Sequence, residues 1–269
     1  MSSVPLYRCP RRFLFIASIG NPAPYTGTRH SAGHVLLDAL QAPLQERIGL
    51  TSNDTGNNSK SIFYTMWKSP ALMNVSGPPV LRQFKNWFAN RQQVFDTIFA
   101  PASRPVSTPP APAPAPAASE TETETEAEIQ TKRLFKGSNL TPIDVSTREL
   151  TRFRPTLVIL HDELEAAPGK VKVRMGGPEQ SSLRGHRGLI SIIDSFRGAR
   201  LLTPKREGPA GVSVLRIGIG IGRPVSRERD AVSDYVLGKL SPRDLEAMQR
   251  AVPEVVDLLV KEMYREGDD

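Results

Sequence analysis

Residues 13–33 read FLFIASIGNPAPYTGTRHSAG, and this stretch indicates the fold class. Its first seven residues, 13–19, form an apolar run of the length typical of a buried strand. A Gly-Asn-Pro turn at 20–22 follows. From Gly33 to about Ile48 apolar residues recur near helical spacing, with Pro43 as a late interruption. A strand that passes through a polar loop into a helix is the unit from which α/β sheets are built.

The alternation of strands and helices continues along the chain. Further strands are predicted at 61–67, 157–161, 170–174 and 214–222, and further helices at 76–90, at 186–196 and from Ser241 onward. The last helix has Pro242 at its first position and Asp244 at its third, a start that resembles a capping box. We therefore predict an α/β fold. It is a single domain in which helices flank a central mixed, mostly parallel sheet, as in phosphorylase-like and hydrolase-like proteins.

A segment of biased composition interrupts these elements. Residues 101–131 read PASRPVSTPPAPAPAPAASETETETEAEIQT. Alternating Ala-Pro favours extended, solvated backbone, and the Glu-Thr repeat has nothing apolar to bury. We predict a disordered insertion at about 92–150. Neither flanking block has enough apolar elements for its own core, so residues 13–269 are predicted to form one interrupted domain after a basic N-terminal arm at 1–12.

The composition of the chain limits which binding partners and which cellular compartment are expected. No stretch of the sequence approaches the roughly 18 consecutive apolar residues that a membrane span needs, so no membrane partner is predicted. The single cysteine, Cys9, cannot form an internal disulfide, which fits a reducing compartment. We expect a cytoplasmic location, with a mitochondrial one permitted by the basic arm.

The charge of the chain is uneven. The net charge is +7, although residues 101–130 contain five glutamates and only one basic residue. The rest of the chain is therefore more basic than the whole. Such an excess of positive charge outside residues 101–130 indicates a polyanionic partner, for which nucleic acid is the common example. A basic protein without such a partner is the alternative.

Polar side chains follow two of the predicted buried strands. Asn21 and Asp162 each come at the carboxyl end of a strand, where ligands collect in α/β sheets, and the first loop carries His30 to the start of a helix. A carboxylate on one ring nitrogen fixes the histidine tautomer and makes the other nitrogen a better base. The chain has no serine in a Gly-x-Ser-x-Gly elbow, so a His–Asp pair predicts direct activation of water.

Each of these residues also has a structural alternative. Asn21 equally fits a residue that caps a turn. His30 equally fits a loop histidine whose hydrogen bonds are made within the loop, and Asp162 a surface acid where the strand ends. Asn74 either caps the second helix or points its amide into the same cleft. The orientations of His161 and Glu163 stay open, since neighbours on a strand face opposite ways.

A basic region precedes the helix predicted at 186–196. The loop RMGGPEQSSLRGHRG at 174–188 is of a kind that holds phosphate or another polar ligand. On the preceding strand Lys170, Lys172 and Arg174 are predicted to form a row of positive charge suited to a phosphate backbone, or else an ordinary solvated face. No nucleotide-binding motif and no convincing metal-ligand spacing occurs, so no cofactor and no metal are predicted.

Taken together, these segments resemble the bacterial-type peptidyl-tRNA hydrolase family. The matching segments occur in family order and cover nearly all of the chain outside the insertion and the arm. They are Gly20-Asn21-Pro22, Tyr25, Thr28-Arg29-His30, Ala32-Gly33, residues 73–77, 161–164, 168–170, Gly185-His186, Gly188-Leu189, 216–220 and 234–238. The ordered set is far more specific than any one match.

The resemblance implies an enzyme that hydrolyses the ester of peptidyl-tRNA without a cofactor, on one α/β domain and as a monomer. It implies that His30 is the general base and that Asp162 orients it. It implies that Asn21 is also catalytic and that, with Asn74, it positions the scissile ester and stabilises charge on its carbonyl oxygen. Substrate-binding roles are implied for Tyr25, Asn74, His186 and Arg187. Contacts to tRNA phosphates are implied for Lys170, Lys172 and Arg174.

The chain departs from the family pattern at three places. Arg187 and Ser31 stand where the family usually has asparagine, and the loop through 178–183 is longer than usual. These departures leave a second hypothesis open, an RNA-binding protein on the same fold with little or no hydrolysis. A general small-ester hydrolase is disfavoured by the basic charge and the missing serine elbow.

Overall fold

The computed structural model describes residues 10–48, 63–99, 153–176, 183, 185–202 and 211–266, with side chains of 94–99 left undescribed. Most of the N-terminal arm and of the predicted insertion lies outside these ranges, so the predicted disorder and domain boundaries stay predictions. Residues 92–99, assigned to the insertion from sequence, are instead helical. No proline or glycine falls between Pro79 and Pro101, and the helix therefore has no sequence signal that would end it earlier.

Five strands form one sheet in the order β2-β1-β3-β5-β4. They are β1 (Phe13–Ser18), β2 (Tyr64–Lys68), β3 (Pro155–Glu163), β4 (Val171–Met175) and β5 (Ser213–Gly220). β1 pairs in parallel with β2 and β3, and β3 pairs in parallel with β5, whereas β4 runs antiparallel to β5. The prediction of an α/β fold with a mixed, mostly parallel sheet is confirmed.

Five α-helices in the described part of the chain accompany the sheet. They are α1 (Ala32–Ile48), α2 (Gly77–Phe99), α3 (Arg187–Gly198), α4 (Arg229–Leu237) and α5 (Pro242–Met263). Short 3-10 turns at Arg29–Ser31 and Met73–Val75 precede α1 and α2. The capping box expected at the start of α5 is present, with the Ser241 hydroxyl accepting the Asp244 N–H. Among the described ranges, no helix has the length and apolarity needed to cross a membrane.

The two faces of the sheet bury separate apolar layers. Alternate residues of a strand point to opposite faces, so Leu14 and Ile16 of β1 join the layer against α1 and α5. Phe13, Phe15 and Ala17 join the aromatic layer against α2 and α3. Burial on both faces explains why β1 and β3 read as continuous apolar runs.

Helix α4 was not predicted from the sequence. It spans only nine residues and has no fully buried side chain, so it lacks the apolar stripe by which helices are identified. One face of α4 nevertheless lines a cavity at the carboxyl ends of the central strands.

Gly33 sets how closely α1 packs on the sheet. A Cβ at this position would overlap the carbonyl oxygen of Leu160 and lie 2.7 Å from that of Ile19. We expect Gly33→Ala to destabilise the fold by about 1–3 kcal/mol, because α1 must move off the strand ends. Thermal unfolding measures this loss. Gly198→Ala, at a glycine whose added Cβ meets nothing within 4 Å, is the matched control, and equal melting temperatures for the two variants would contradict the packing argument.

Candidate active site

A cavity of about 620 Å³ opens at the carboxyl ends of β1, β3 and β5. Loops after the strands supply one side of it and α4 supplies another. Its lining includes eight polar and charged residues contributed by the loops and strand ends, namely Asn21, His30, Asn74, Asp162, Glu163, Arg174, His186 and Arg187. This is the edge at which α/β sheets hold ligands.

Asp162 lies at the centre of the cavity floor and binds two histidines. Its buried carboxylate places both oxygens 3.1 Å from Nδ1 of His30, and Oδ1 also lies 3.1 Å from Nε2 of His186. Burial alone would raise the pKa of this carboxyl. The charges and hydrogen bonds of the two imidazoles outweigh burial and hold the pKa well below its usual range. Asp162 is therefore a permanent anion between two rings.

His30 is arranged as a base. Its Nδ1 faces the Asp162 carboxylate and so carries the hydrogen, which leaves Nε2 with a lone pair and without a hydrogen-bond partner in the described part of the chain. Burial lowers the pKa of His30. The attraction of Asp162 and the hydrogen bond to it reverse that effect, and the net pKa is raised above its usual value. A raised pKa makes Nε2 a stronger proton acceptor.

His186 has a fixed tautomer. It precedes α3, and its Nδ1 accepts the backbone N–H of Leu189 at 3.3 Å. A backbone N–H can only donate, so Nδ1 is unprotonated and Nε2 carries the hydrogen that is donated to Asp162. Ligand atoms of His30, Asp162 and His186 lie within 4.8 Å of one another, a spacing that a metal ion would accept. The hydrogen on Nε2 is incompatible with ligation while the cap exists, and we assign the cluster to hydrogen bonding.

His161 is excluded as a base by its surroundings. It is buried, its Nδ1 donates to the carbonyl oxygen of Asp162 at 2.7 Å, and its ring lies edge-on to His186. Burial, followed by the proximity of His186, lowers the pKa of His161 to about 4. His161 is thus neutral, and its ring packs against the ring of His186.

Asn21 joins two loops and keeps its amide donors for the cavity. Its Oδ1 accepts the backbone N–H of Met73 at 2.9 Å, so its NH₂ group is the part of the amide that remains for a ligand. Its own N–H donates to the buried hydroxyl of Ser31 at 3.0 Å. Ser31 also bonds the carbonyl oxygen of Tyr25, and it therefore holds the loop together where the family usually has asparagine.

Asn74 and Tyr25 take different positions around the cavity. Asn74 is exposed on the cavity rim, within the 3-10 turn at Met73–Val75. It is Ser76 that directly precedes α2, so Asn74 is not its cap. Tyr25 is 43% exposed and absent from the described lining, although its carbonyl oxygen organises the turn. The structure does not bring its phenol into the cavity.

The row of positive charge predicted on β4 is not present as an open row. Arg174 forms an ion pair with the buried carboxylate of Glu163 and lines the cavity, and Lys172 donates to the carbonyl oxygen of Glu165 at 2.8 Å. Lys170 precedes the strand and is exposed. β4 pairs with β5, which brings Arg174 within reach of the acid at the end of β3, and contacts of the three residues with tRNA phosphates stay a prediction.

Several charged residues of the cavity lining are not among the site residues predicted from the sequence, although the orientation of Glu163 is one of the alternatives that the sequence leaves open. They are charged residues on β3, on β5, in the loop after β5 and on α4, namely Glu163, Arg216, Arg223 and Arg229. Arg216 pairs directly across from Arg174, and burial followed by the charge of Arg174 lowers its pKa, while Glu163 opposes that shift. A lone arginine inside the apolar strand VLRIGIG was the available signal for this site.

This chain is similar in sequence to known peptidyl-tRNA hydrolases. The family model described as peptidyl-tRNA hydrolase matches residues 145–269. The peptidyl-tRNA hydrolase of Actinobacillus pleuropneumoniae serotype 5b is 38% identical over 115 residues, which are 41% of this chain and 50% of that protein. This chain thus spans about half the length of that relative. A solved peptidyl-tRNA hydrolase from Acinetobacter baumannii is 20% identical with a TM-score of 0.47, over 96% of this chain and 91% of that one.

A longer comparison includes both sides of the predicted insertion. The peptidyl-tRNA hydrolase of Saccharomyces cerevisiae is 26% identical over 249 residues, which are 87% of this chain and 88% of that protein. An alignment of this length includes the segment with Asn74 as well as the segment with Asp162. The family match over 145–269 and the similarity to the yeast protein over 87% of this chain agree with the resemblance of the chain to the peptidyl-tRNA hydrolase family.

Proposed function

We propose that this protein hydrolyses the ester bond between peptide and tRNA in peptidyl-tRNA and releases free tRNA. The observation that carries the proposal is the His30–Asp162 pair at a cavity that also presents amide donors and arginines. A base without a neighbouring nucleophile fits direct attack by water. The substrate is inferred from the relatives, which are named peptidyl-tRNA hydrolases.

The reaction begins with the transfer of a proton from water to Nε2 of His30. The water oxygen attacks the ester carbonyl carbon, and the anionic Asp162 stabilises the imidazolium that forms. The NH₂ group of Asn21 donates to the oxyanion, with the exposed amide of Asn74 as a second donor at the rim. When the intermediate collapses, the ribose oxygen leaves and takes the proton from His30. The products are a peptide carboxylic acid and tRNA with a free hydroxyl.

The cavity wall contains separate charged and apolar parts that suit the two halves of the substrate. Arg187 and Arg229 offer charge to the phosphates of the tRNA end, and the exposed Lys170 extends that charge along the surface. Arg223 lines the same cavity but forms an ion pair with Glu165. Val232 and Val236 of α4 offer an apolar wall to the peptide. We propose that the monomer is the active form, as the resemblance to the family implies.

The test is release of tRNA from an N-blocked aminoacyl-tRNA by the purified full chain. Hydrolysis of this substrate, with little or none of a small nitrophenyl ester, supports the proposal. Binding of tRNA without hydrolysis would contradict it and favour an RNA-binding protein, in which case Arg187→Asn is the first variant to examine for restored turnover. Comparable rates on both substrates would favour a general esterase.

Asn21→Asp isolates the donor function of the amide. The aspartate keeps an oxygen for the N–H of Met73 but has no hydrogen to donate to the oxyanion. We expect kcat to fall by about 10²-fold, while the fold and tRNA binding are retained. Single-turnover hydrolysis measures the loss. Asn21→Ala is the companion variant, which removes the bond to Met73 as well and is expected to lower the melting temperature. A rate for Asn21→Asp close to wild type would remove Asn21 from the oxyanion site.

A further inference from the structure

Arg29 is the residue immediately before the proposed base, and it points away from the reacting atoms. It begins the 3-10 turn Arg29–Ser31 that carries His30. Its guanidinium carbon lies 4.5 Å from the centre of the Tyr235 ring, Nη1 donates to the carbonyl oxygen of Tyr235 at 3.4 Å, and Nη2 lies 3.6 Å from the carboxylate of Asp244. The side chain is thus held between the end of α4 and the start of α5.

These contacts satisfy both helix ends. Tyr235 is in the last turn of α4, where carbonyl oxygens lack helical partners and a cation is favoured. Asp244 is in the first turn of α5 and belongs to its capping box. A planar guanidinium can meet a ring face, a carbonyl oxygen and a carboxylate together, whereas the ammonium of lysine cannot. Gly238 leaves the required space, because a Cβ there would lie 2.8 Å from Nη1 of Arg29.

The backbone around Arg29 is attached to the same place. The N–H of Arg29 donates to the carbonyl oxygen of Gly238 at 2.9 Å, and the N–H of Leu240 donates to that of Gly27 at 2.9 Å. Thr28 and Lys239 form an isolated antiparallel bridge. The Tyr235 hydroxyl donates to the carbonyl oxygen of Ile221 at 2.7 Å, which ties the ring to the segment after β5. The turn with His30 and the α4–α5 junction therefore form one linked unit.

We propose that Arg29 is a positioning residue that holds the His30 turn against the α4–α5 junction and thereby keeps His30 on Asp162. Helix α4 has no fully buried side chain, so core packing alone does not locate it. Nδ1 of His30 lies 3.1 Å from each of the two carboxylate oxygens of Asp162. A small rotation of the 3-10 turn that carries His30 would lengthen both hydrogen bonds. Arg29 supplies the restraint that the weakly buried helix lacks. The inference rests on the proposed function for its kinetic effect, but the restraint itself is independent of turnover.

The kinetic experiment compares Arg29→Ala, Arg29→Lys and Tyr235→Leu in the full chain, with N-blocked aminoacyl-tRNA as the substrate. We expect kcat to fall about tenfold or more in each variant, because a displacement of about 1 Å at a catalytic group is costly. KM should change little, since Arg29 does not line the cavity. Free guanidinium added at low concentration should partly restore the rate of Arg29→Ala.

Arg12→Ala is the matched control. Arg12 is a buried arginine, whereas Arg29 is half-buried. Arg12 lies just before β1, at the amino ends of the strands, where it donates to Ser213 at 2.8 Å. We expect this variant to lose stability while keeping its kcat and showing no response to guanidinium. Equal losses of kcat in Arg12→Ala and Arg29→Ala would overturn the inference, because the effect would then follow stability. Where Arg29→Ala fails to fold, Arg29→Lys and Tyr235→Leu decide the question.

A second measurement does not require activity. NMR titration of the His30 imidazole reports its contact with Asp162, the carboxylate that faces it, while His186 is the other titratable group beside it. In the Arg29 and Tyr235 variants we expect the pKa of His30 to fall, because the attraction of Asp162 weakens while burial remains. An unchanged pKa with an unchanged kcat would overturn the inference. Absence of hydrolysis by the wild type would contradict the proposed function instead, and the titration would still decide the role of Arg29.

Discussion

His30→Ala is expected to lower kcat/KM for an N-blocked aminoacyl-tRNA by two or more orders of magnitude. No other cavity residue offers a base of the same kind: in the described part of the chain His161 is neutral and buried, and Nε2 of His186 carries a hydrogen that is donated to Asp162. Loss of His30 therefore leaves attack by unactivated water, aided only by the amide donors. The rate is measured under single-turnover conditions, and tRNA binding is measured in parallel.

The control for this variant is another histidine of the same helical region. His34 lies in α1 and its Nδ1 is 2.7 Å from the hydroxyl of Ser18, so His34→Gln can keep that bond. We expect it to retain most of the activity. In the wild type the rate should fall as pH decreases through the pKa of His30, which is raised above its usual value, because only the neutral ring accepts a proton. A His30→Ala rate within tenfold of wild type would assign the base elsewhere.

Asp162→Asn is expected to lower kcat by about 10²- to 10⁴-fold, although the side chain keeps its size. The wild-type carboxylate accepts hydrogen bonds from both imidazoles, whereas an amide has one oxygen for two rings. The NH₂ group of the new amide would face one of the two rings. It can only donate, so the ring nitrogen that it faces would have to be unprotonated. If that ring is His30, Nδ1 becomes the acceptor and Nε2 carries the hydrogen, which removes the base. Loss of the anion also removes the stabilisation of the imidazolium.

Two measurements separate these effects from damage to the fold. Nitrogen chemical shifts of His30 report which tautomer is present in Asp162→Asn, and kcat reports the consequence. Asp38→Asn is the matched control, because Asp38 pairs with Lys68 at 2.6 Å on a half-exposed surface. Replacement there should be nearly neutral in kcat. A His30 tautomer unchanged in Asp162→Asn, with kcat close to wild type, would contradict the proposed role of Asp162.

Sequence reasoning succeeded where a pattern reports burial. The runs at 13–19 and 157–161 predicted two of the central strands, since residues buried on both faces must be apolar. It failed for α4, whose side chains are not fully buried and therefore leave no periodic signal. It did not foresee the ion pair of Arg174 with Glu163, because the residues of one strand do not show which acid a neighbouring strand brings beside them.

The amino-acid pattern alone decides that Asn21 and Asp162 stand at strand ends and that His30 precedes a helix, because strand length and periodicity follow from local burial. Only the packed molecule decides that one carboxylate serves both His30 and His186, which are 132 and 24 residues away from Asp162 along the chain. The same holds for the contact of Arg29 with the α4–α5 junction. Hydrogen bonds depend on positions within a few tenths of an ångström, and those positions are set by how α1, the sheet and the helix ends pack together.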